Sequence, residues 1–409
     1  MASQGTLALL ERLAAPDLPE IPSPGPDTPV AISADLRHSG YKLAPIDLNL
    51  FPGGWHNLCP AAIPRASELL RRWAERQGLR GRRVVVLAEA MTRNPAYAEN
   101  LVTIGRALRG AGWDVDYIAT LDDDQPVLVP TMTGDAVELH PLRVEDGCLL
   151  NSDGEPADWA FSNNDFTSGV PALIESVRTP IAPPPRLGWH QRRKRAFFEA
   201  YDQVATDWAS RAGIDPWVLI PETVAIDDVD FWNQQGLDRV ADAVEAMLAR
   251  IQAEYDRRQI DDQPFVVVKD EAGTFGMGVL TVDDAEVIRN PNRKTRQKMQ
   301  RGKAGRPITS VLVQEGVYTR DLLGDCVAEP VAMAVDGVMT GGFFRYHCSR
   351  TETENLNAKG MVFARLCCAT DPAGCPGDCH RDDLRYRAYG RVIELAAAAA
   401  AEEVAQGAS

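Results

Sequence analysis

Residues 265–284, FVVVKDEAGTFGMGVLTVDD, decide the reading of this chain. The run FVVVK is apolar and β-branched, which suits a strand, and that strand ends on Lys269. A loop with Gly273, Thr274, Gly276 and Gly278 follows, and VLTV starts a second strand. The window is therefore a hairpin with a glycine-rich connection. Glycines let backbone N–H groups approach phosphate oxygens closely, and a lysine ammonium supplies a point charge for the same phosphates. The dinucleotide fingerprint and the Walker A loop both lead into a helix, so this window is neither. Taken alone, it also describes a glycine-rich hairpin that binds nothing.

Three features downstream bear on the choice. TSVLVQEGV (309–317) reads as a strand ending in Gln314 and Glu315. A carboxylate there suits a ribose hydroxyl, and the adjoining backbone suits an adenine edge. EPVAMAVDGVMTGGFFRYH (329–347) reads as a hairpin turning at Asp-Gly, 336–337, and ending in Arg345 and His347. ENLNAKGM (354–361) places Glu354, Asn355 and Asn357 beside a glycine turn. Oxygen-bearing side chains in a short loop are what a magnesium ion bridging phosphates requires.

Upstream, the pattern is α/β. A helix over 60–78 precedes an apolar strand at 82–90, a helix at 93–111 and a strand at 113–121, which is a βαβ unit with a parallel sheet. A third strand begins at 158 and runs into Asn163, Asn164 and Asp165. That is the strand end where ligands collect in open α/β sheets. Residues 16–30 hold six prolines and read as an extended, solvated leader. Residues 31–58 lack helical periodicity and carry many polar groups, as a structured loop with buried polar pairs would. Two long helices are expected near 190–212 and 232–259, then hairpins, then a helix over 382–405. The expected division is a leader (1–30), an α/β portion (31–225) and an α+β portion (226–409) whose lid spans about 264–310.

The chain has 409 residues, a formal net charge of −15, 45% apolar and 25% charged residues. This is globular composition with room for a large core. The charge argues against a general nucleic-acid or membrane-surface binder, and no apolar run is long enough to span a membrane. With no secretory leader, a cytoplasmic protein with reduced thiols is expected.

The order Lys and glycine loop, strand with Glu, hairpin with Arg, then Asn-x-Asn loop resembles the ATP-grasp fold, and the Arg and Asn loop resembles that of glutathione synthetases. The strings ADLRHSGYKLAPIDLNLFPGGWHNL, FSNNDFTSG, LGWHQRRKRAFF, VVVKDEAGTFGMGVLTV, VLVQEGV, AEPVAMAVDGVMTGGFFRYH and ENLNAKGMVF, in one order over about 31–366, resemble the proteobacterial-type glutamate–cysteine ligase family. The resemblance implies a pre-ATP-grasp-like parallel-sheet portion followed by an ATP-grasp-like, two-lobed nucleotide-binding portion. It implies ATP and Mg2+, and ligation of L-glutamate to L-cysteine through an acyl phosphate. Lys269 and the glycine loop would hold ATP phosphates, and Arg345 would stabilise the transferring phosphoryl group. Arg37 and Lys42 would serve substrate carboxylates, and Asp35 and Asp47 would serve ammonium groups. Asn49 and Asn57 would add hydrogen bonds, with Asn163, Asn164 and Asp165 a second candidate set. No Glu-x-Asn strand follows the Asn loop, which leaves Glu329, Glu354, Asn355 and Asn357 as metal candidates.

Other readings stay open. The Arg192, Arg193, Lys194, Arg195 cluster is a phosphate or carboxylate site or a solvated helix face, and Lys298 is a possible second phosphate contact. The histidines show no metal-like spacing. LCCATDPAGCPGDCH (366–380) groups Cys367, Cys368, Cys375, Cys379 and His380, which suits a structural zinc, a redox pair or surface thiols. Rival functions are a ligase with another amine acceptor and a nucleotide or metal sensor without turnover.

Overall fold

The structure is a computed structural model that describes residues 4–89, 94–273, 276–302, 305–368 and 383–407. Thr274, Cys375, Cys379 and His380 lie outside the described residues, as does the side chain of Cys368. In chain order the N-terminal part holds α1 (Gln4–Leu13), β1 (Ala31–His38), β2 (Leu43–Asn49), α2 (Ala62–Arg76), β3 (Arg83–Ala88) and α3 (Pro95–Gly110). Next come β4 (Asp114–Ala119), β5 (Val127–Pro130), β6 (Ala136–Pro141), the short β7 (Val144–Glu145) and β8 (Cys148–Leu149), and β9 (Trp159–Ser162). The middle holds α4 (Ala172–Glu175), β10 (Ile181–Ala182), α5 (Lys194–Ala212), β11 (Thr223–Asp227) and α6 (Leu237–Arg258). Then follow β12 (Val266–Asp270), β13 (Val279–Val282), α7 (Glu286–Arg289), α8 (Arg293–Lys298) and β14 (Ser310–Glu315). The chain closes with β15 (Asp321–Leu323), β16 (Cys326–Val335), β17 (Val338–His347), β18 (Val362–Arg365) and α9 (Leu384–Gln406).

Three larger sheets form. One is antiparallel, in the order β18-β17-β16-β1-β2, with β15 on β16. The second, β10-β9-β3-β4-β6-β5, is parallel except for its β5–β6 hairpin. The third, β11-β14-β12-β13, is antiparallel. The α/β expectation and the expected hairpins are thus present, in a mixed α/β fold. The division expected at 225 is not a sheet boundary, because β1 pairs along β16 from Ala31↔Val335 to Asp35↔Val331.

Alternation along the first sheet feeds two cores. Ile32, Ala34, Ala332, Ala334 and Phe344 pack under α5 and α9. Val331, Met333, Val335 and Phe343 face α2 and the parallel sheet. The alanines of α9 let it lie close to the sheet, and Ala396, Ala397, Ala399 and Ala400 are buried there. A third core lies between α6 and the β11-β14-β12-β13 sheet.

Three expectations are corrected. The first thirty residues are not a solvated leader: Leu9, Leu10 and Leu13 of α1 enter the core, because helical spacing puts them on one face. Further along, Pro19 and Thr28 carbonyls accept from the indoles of Trp208 and Trp73. Residues 31–58 are not a loop but a β1–β2 hairpin and a 3-10 turn (Trp55–Asn57). Ile32, Ala34 and Leu36 face the core while Ser33, Asp35 and Arg37 face a cavity, a strand period the polar residues concealed. Finally, not all thiols are reduced. Cys326 and Cys348, just beyond the Val327↔His347 pair, form a disulfide.

Candidate active site

A cavity of about 350 Å³ lies where the three sheets meet. The β1–β2 hairpin with β16 and β17 makes one wall, and β12, β13 and β14 make the opposite one. The third wall comes from the ends of β3 and β9, the first turns of α3 and the 51–57 loop.

A buried charge network covers the first wall. Register sets Asp35 opposite Asp47 and Glu329 opposite Arg345. Arg345 Nη1 donates to Asp35 Oδ2 at 3.0 Å and to Glu329 Oε1 at 2.7 Å. Arg37 Nε donates to Glu329 Oε2 at 3.1 Å, and its remaining nitrogens reach the carbonyls of Val317, Glu352, Thr353 and Glu354. Lys194 Nζ donates to Asp47 Oδ1 at 2.5 Å. Burial raises the Asp35 pKa against the pull of Arg345, and the Glu329 and Asp47 charges add to the rise. Burial also acts on Asp47, but Lys194 and Lys269 outweigh it and hold that carboxyl below its usual range.

Lys269 is the penultimate residue of β12, on the opposite wall. Its Nζ donates to Ile46 O at 2.5 Å and to Gln314 Oε1 at 2.9 Å. Burial, with the nearby Lys194 and Arg37 charges, pulls its pKa down to about 7 against the opposing Asp47 and Asp35 carboxylates. Two buried donors on these walls, Nε2 of Gln314 and Nε of Arg345, have no protein acceptor. They are the kind of group that a ligand's oxygen or nitrogen satisfies.

The glycine hairpin meets the Asn loop directly. Gly276 sits at φ +68°, where a Cβ would lie 2.8 Å from Asn357 O and 2.9 Å from Asn355 Nδ2. Asn355 Oδ1 accepts from Asn357 N at 2.9 Å, which fixes the loop.

Of the residues expected from the sequence, Asp35, Arg37, Asp47, Asn49, Asn57, Asn163, Asp165, Lys269, Gly273, Gly276, Gln314, Glu315, Glu329, Arg345, Asn355 and Asn357 line this cavity. Lys42, Asn164, Gly278 and Glu354 do not. Lys42 pairs with Glu315 at 2.6 Å. Asn164 Oδ1 accepts from Phe166 N, and Gly278 O accepts from Asp270 N to close the hairpin. The Glu354 carboxylate turns to Arg350 and to the amide of Thr351. Asn163 is in the wall but committed: its Oδ1 accepts from Asn100 and its Nδ2 donates to Pro52 O. Of the four expected metal residues, Glu329 is held by two guanidiniums and Glu354 turns away, while Asn355 and Asn357 line the cavity. Among the described residues no three His, Cys, Asp or Glu side chains are arranged to hold a metal ion.

The basic cluster divides. Lys194 alone of the four lines the cavity. Arg192 is buried against Glu403 of α9, Arg193 bonds local carbonyls, and Arg195 pairs with Glu271 and Asp227. Burial lowers the Lys298 pKa, with Arg350 and Lys294 adding to it, but this residue is not in the wall. His56, Glu89, Tyr97, Asn100 and Trp189 also line the cavity and were not expected from the sequence. Trp55–Asn57 sits among glycines and prolines with no periodic signal, so only the fold reveals His56.

The glutamate-cysteine ligase (GshA) family model matches residues 25–404. A crystal structure from Methylobacillus flagellatus KT, provisionally named a gamma-glutamylcysteine synthetase, is similar at 33% identity. The similarity covers 99% of this chain and 98% of that one, with a TM-score of 0.85. No curated protein matches the chain. Among the described residues no helix is long and apolar enough to cross a membrane.

Proposed function

The chain belongs to the glutamate-cysteine ligase family, and on that premise we propose that its cavity uses ATP to activate the glutamate side-chain carboxylate as an acyl phosphate and passes it to the amine of cysteine. The product is gamma-glutamylcysteine, made in the first step of glutathione biosynthesis. The observation that carries the reading is the convergence of Lys269, the glycine hairpin, the Asn loop and Arg345 on one buried cavity.

A carboxylate does not react with an amine at neutral pH, and phosphorylation gives it a leaving group. Catalysis then rests on positioning and charge stabilisation. The two walls act as ATP-grasp-like lobes. Lys269 and the backbone at Gly273 and Gly276 hold the phosphates, and Gln314 with the Glu315 backbone holds the base and ribose end. Arg345, kept in place by Asp35 and Glu329, offers its unpaired Nε–H to the oxygens of the transferring phosphoryl group. Asp35 and Asp47 take ammonium groups, and Asn49, Asn57 and Lys194 take carboxylate oxygens. A magnesium ion bound with ATP would neutralise phosphate charge, and Asn355 and Asn357 are the expected metal residues placed to reach it. The substrates are small molecules of the cytoplasm, and nothing in this reading calls for nucleic acid.

The test is phosphate release from Mg-ATP with L-glutamate, with and without L-cysteine, coupled to mass analysis of the product. Release that needs both amino acids, with the mass of glutamylcysteine, is expected. A different acceptor in a screen at fixed glutamate would redirect the reading to another ligase. ATP binding with no phosphate or dipeptide from any acceptor would overturn it in favour of a sensor.

A further inference from the structure

The ligation has a proton to dispose of. An amino acid arrives as its ammonium, which has no lone pair, and a base must remove one proton before the amine can attack. The carboxylates of the charged wall are ion-paired, Asp35 and Glu329 with Arg345 and Asp47 with Lys194, so they can hold an ammonium but already share their lone pairs with a cation. Glu315 is committed to Lys42, and Asp270 to Arg306. Lys269 donates to Ile46 O and Gln314 Oε1, and the ligase reading commits it to the phosphates of ATP.

His56 is different. Among the described residues it is the one imidazole in the cavity wall. Its Nδ1 is buried and makes no hydrogen bond. The 3-10 turn that carries it is held firmly. Trp55 N donates to Asn100 Oδ1 at 2.9 Å, Trp55 Nε1 donates to Pro52 O at 3.1 Å, and Asn163 Nδ2 donates to the same carbonyl at 3.0 Å. The turn also lies against β17, since a Cβ on Gly54 would come 2.8 Å from the Phe343 ring. Phe343 and Arg345 are two residues apart on β17 and line the same cavity as His56.

We propose that His56 is the general base that deprotonates the amine acceptor, an inference that rests on the ligase reading above. One ammonium proton passes to the imidazole. The amine nitrogen then attacks the acyl phosphate carbonyl and the C–N bond forms. The C–O bond breaks with its electron pair on the departing phosphate, which carries away the second amine proton. The imidazolium returns its proton to solvent. The ring suits this cycle. Burial lowers its pKa, which keeps it neutral and ready to accept, while the Glu99 charge on α3 partly opposes that and steadies the imidazolium.

The test compares two acceptors in His56→Gln. Hydroxylamine is unprotonated at neutral pH, attacks acyl phosphates directly and needs no base. With Mg-ATP and glutamate, the variant should form hydroxamate at close to the wild-type rate while dipeptide formation with cysteine falls by about 10²-fold or more. Equal losses with both acceptors would make His56 structural, and no loss with either would remove it from the chemistry. Glu89→Gln is the comparison, as the Glu89 carboxylate lies in the same wall. A cysteine-selective loss there and not at His56 would overturn the assignment. If wild type itself makes no glutamate-dependent hydroxamate and no dipeptide, the ligase reading fails instead.

Discussion

Nζ of Lys42 lies 2.6 Å from both carboxylate oxygens of Glu315, and both side chains are buried. Glu315 also accepts from the amide of Glu222, and Lys42 donates to Ile220 O and lies 4.3 Å from the Trp217 ring centre. The pair joins the β1–β2 hairpin to β14 beneath the cavity. The lysine neutralises a carboxylate of its own chain, so substrate carboxylates must find other partners.

Removing one member leaves a buried charge uncompensated. Lys42→Met should cost about 3–5 kcal/mol of stability, and the double variant Lys42→Met with Glu315→Leu should recover most of it. Urea unfolding decides this, and a loss under ~1 kcal/mol in the single variant, as for an exposed pair, would refute it.

Lys269 makes stability depend on pH. Its pKa is about 7 in the folded chain, where burial dominates, against the ordinary 10.5 when unfolded. Between those values the unfolded chain binds more protons, so stability falls as pH is lowered. Lys269→Met should therefore gain on wild type as pH drops from 10 toward 7, with no further gain below. Parallel stability curves would exclude the effect. The same variant should lose most phosphate release.

Lys194 is the cavity's addition to the expected cations. Lys194→Met should lower kcat/KM for an anionic substrate by about 10²-fold. Arg193→Met, one residue away and bonded to local carbonyls, should leave the rates unchanged. Steady-state kinetics with glutamate and ATP varied in turn will show which anion Lys194 meets, and equal behaviour of the two variants would leave Lys194 a structural partner of Asp47 alone.

Gly276→Ala tests the contact between the hairpin and the Asn loop. A methyl group there meets Asn357 O and Asn355 Nδ2 inside van der Waals distance, at a positive φ. The expected result is a raised KM for ATP with a stability loss of about 1–2 kcal/mol. An unchanged KM would mean that the hairpin does not grip the nucleotide through this contact.

Much of the chain was legible as elements. The β-branched run before Lys269, the helix between two apolar strands at 82–121 and the Asp-Gly turn at 336–337 each carry their own short-range signal. The β1–β2 hairpin was missed because its inward positions are Asp, Arg and Asn, which hide a period of two. The α1 helix was not legible because ten residues carry too few turns for a clear apolar stripe, and Leu9, Leu10 and Leu13 run straight into a proline-rich stretch. Lys194 was visible only as one of four basic residues, since which of them meets the cavity depends on where α5 begins and what it packs against.

By itself the sequence determined which residue types were available, the glycine hairpin with its lysine, and the family. Those follow from local composition and order along the chain. Only the tertiary structure decided which charges were spent on one another. Arg37 with Glu329 is 292 residues apart in sequence, and Lys42 with Glu315 is 273. Burial obliges such charges to find partners, and the partner is chosen by sheet register and helix packing, which no local pattern encodes. The groups left over, Arg345 Nε, Gln314 Nε2 and the His56 ring, are where this cavity has chemistry to spare.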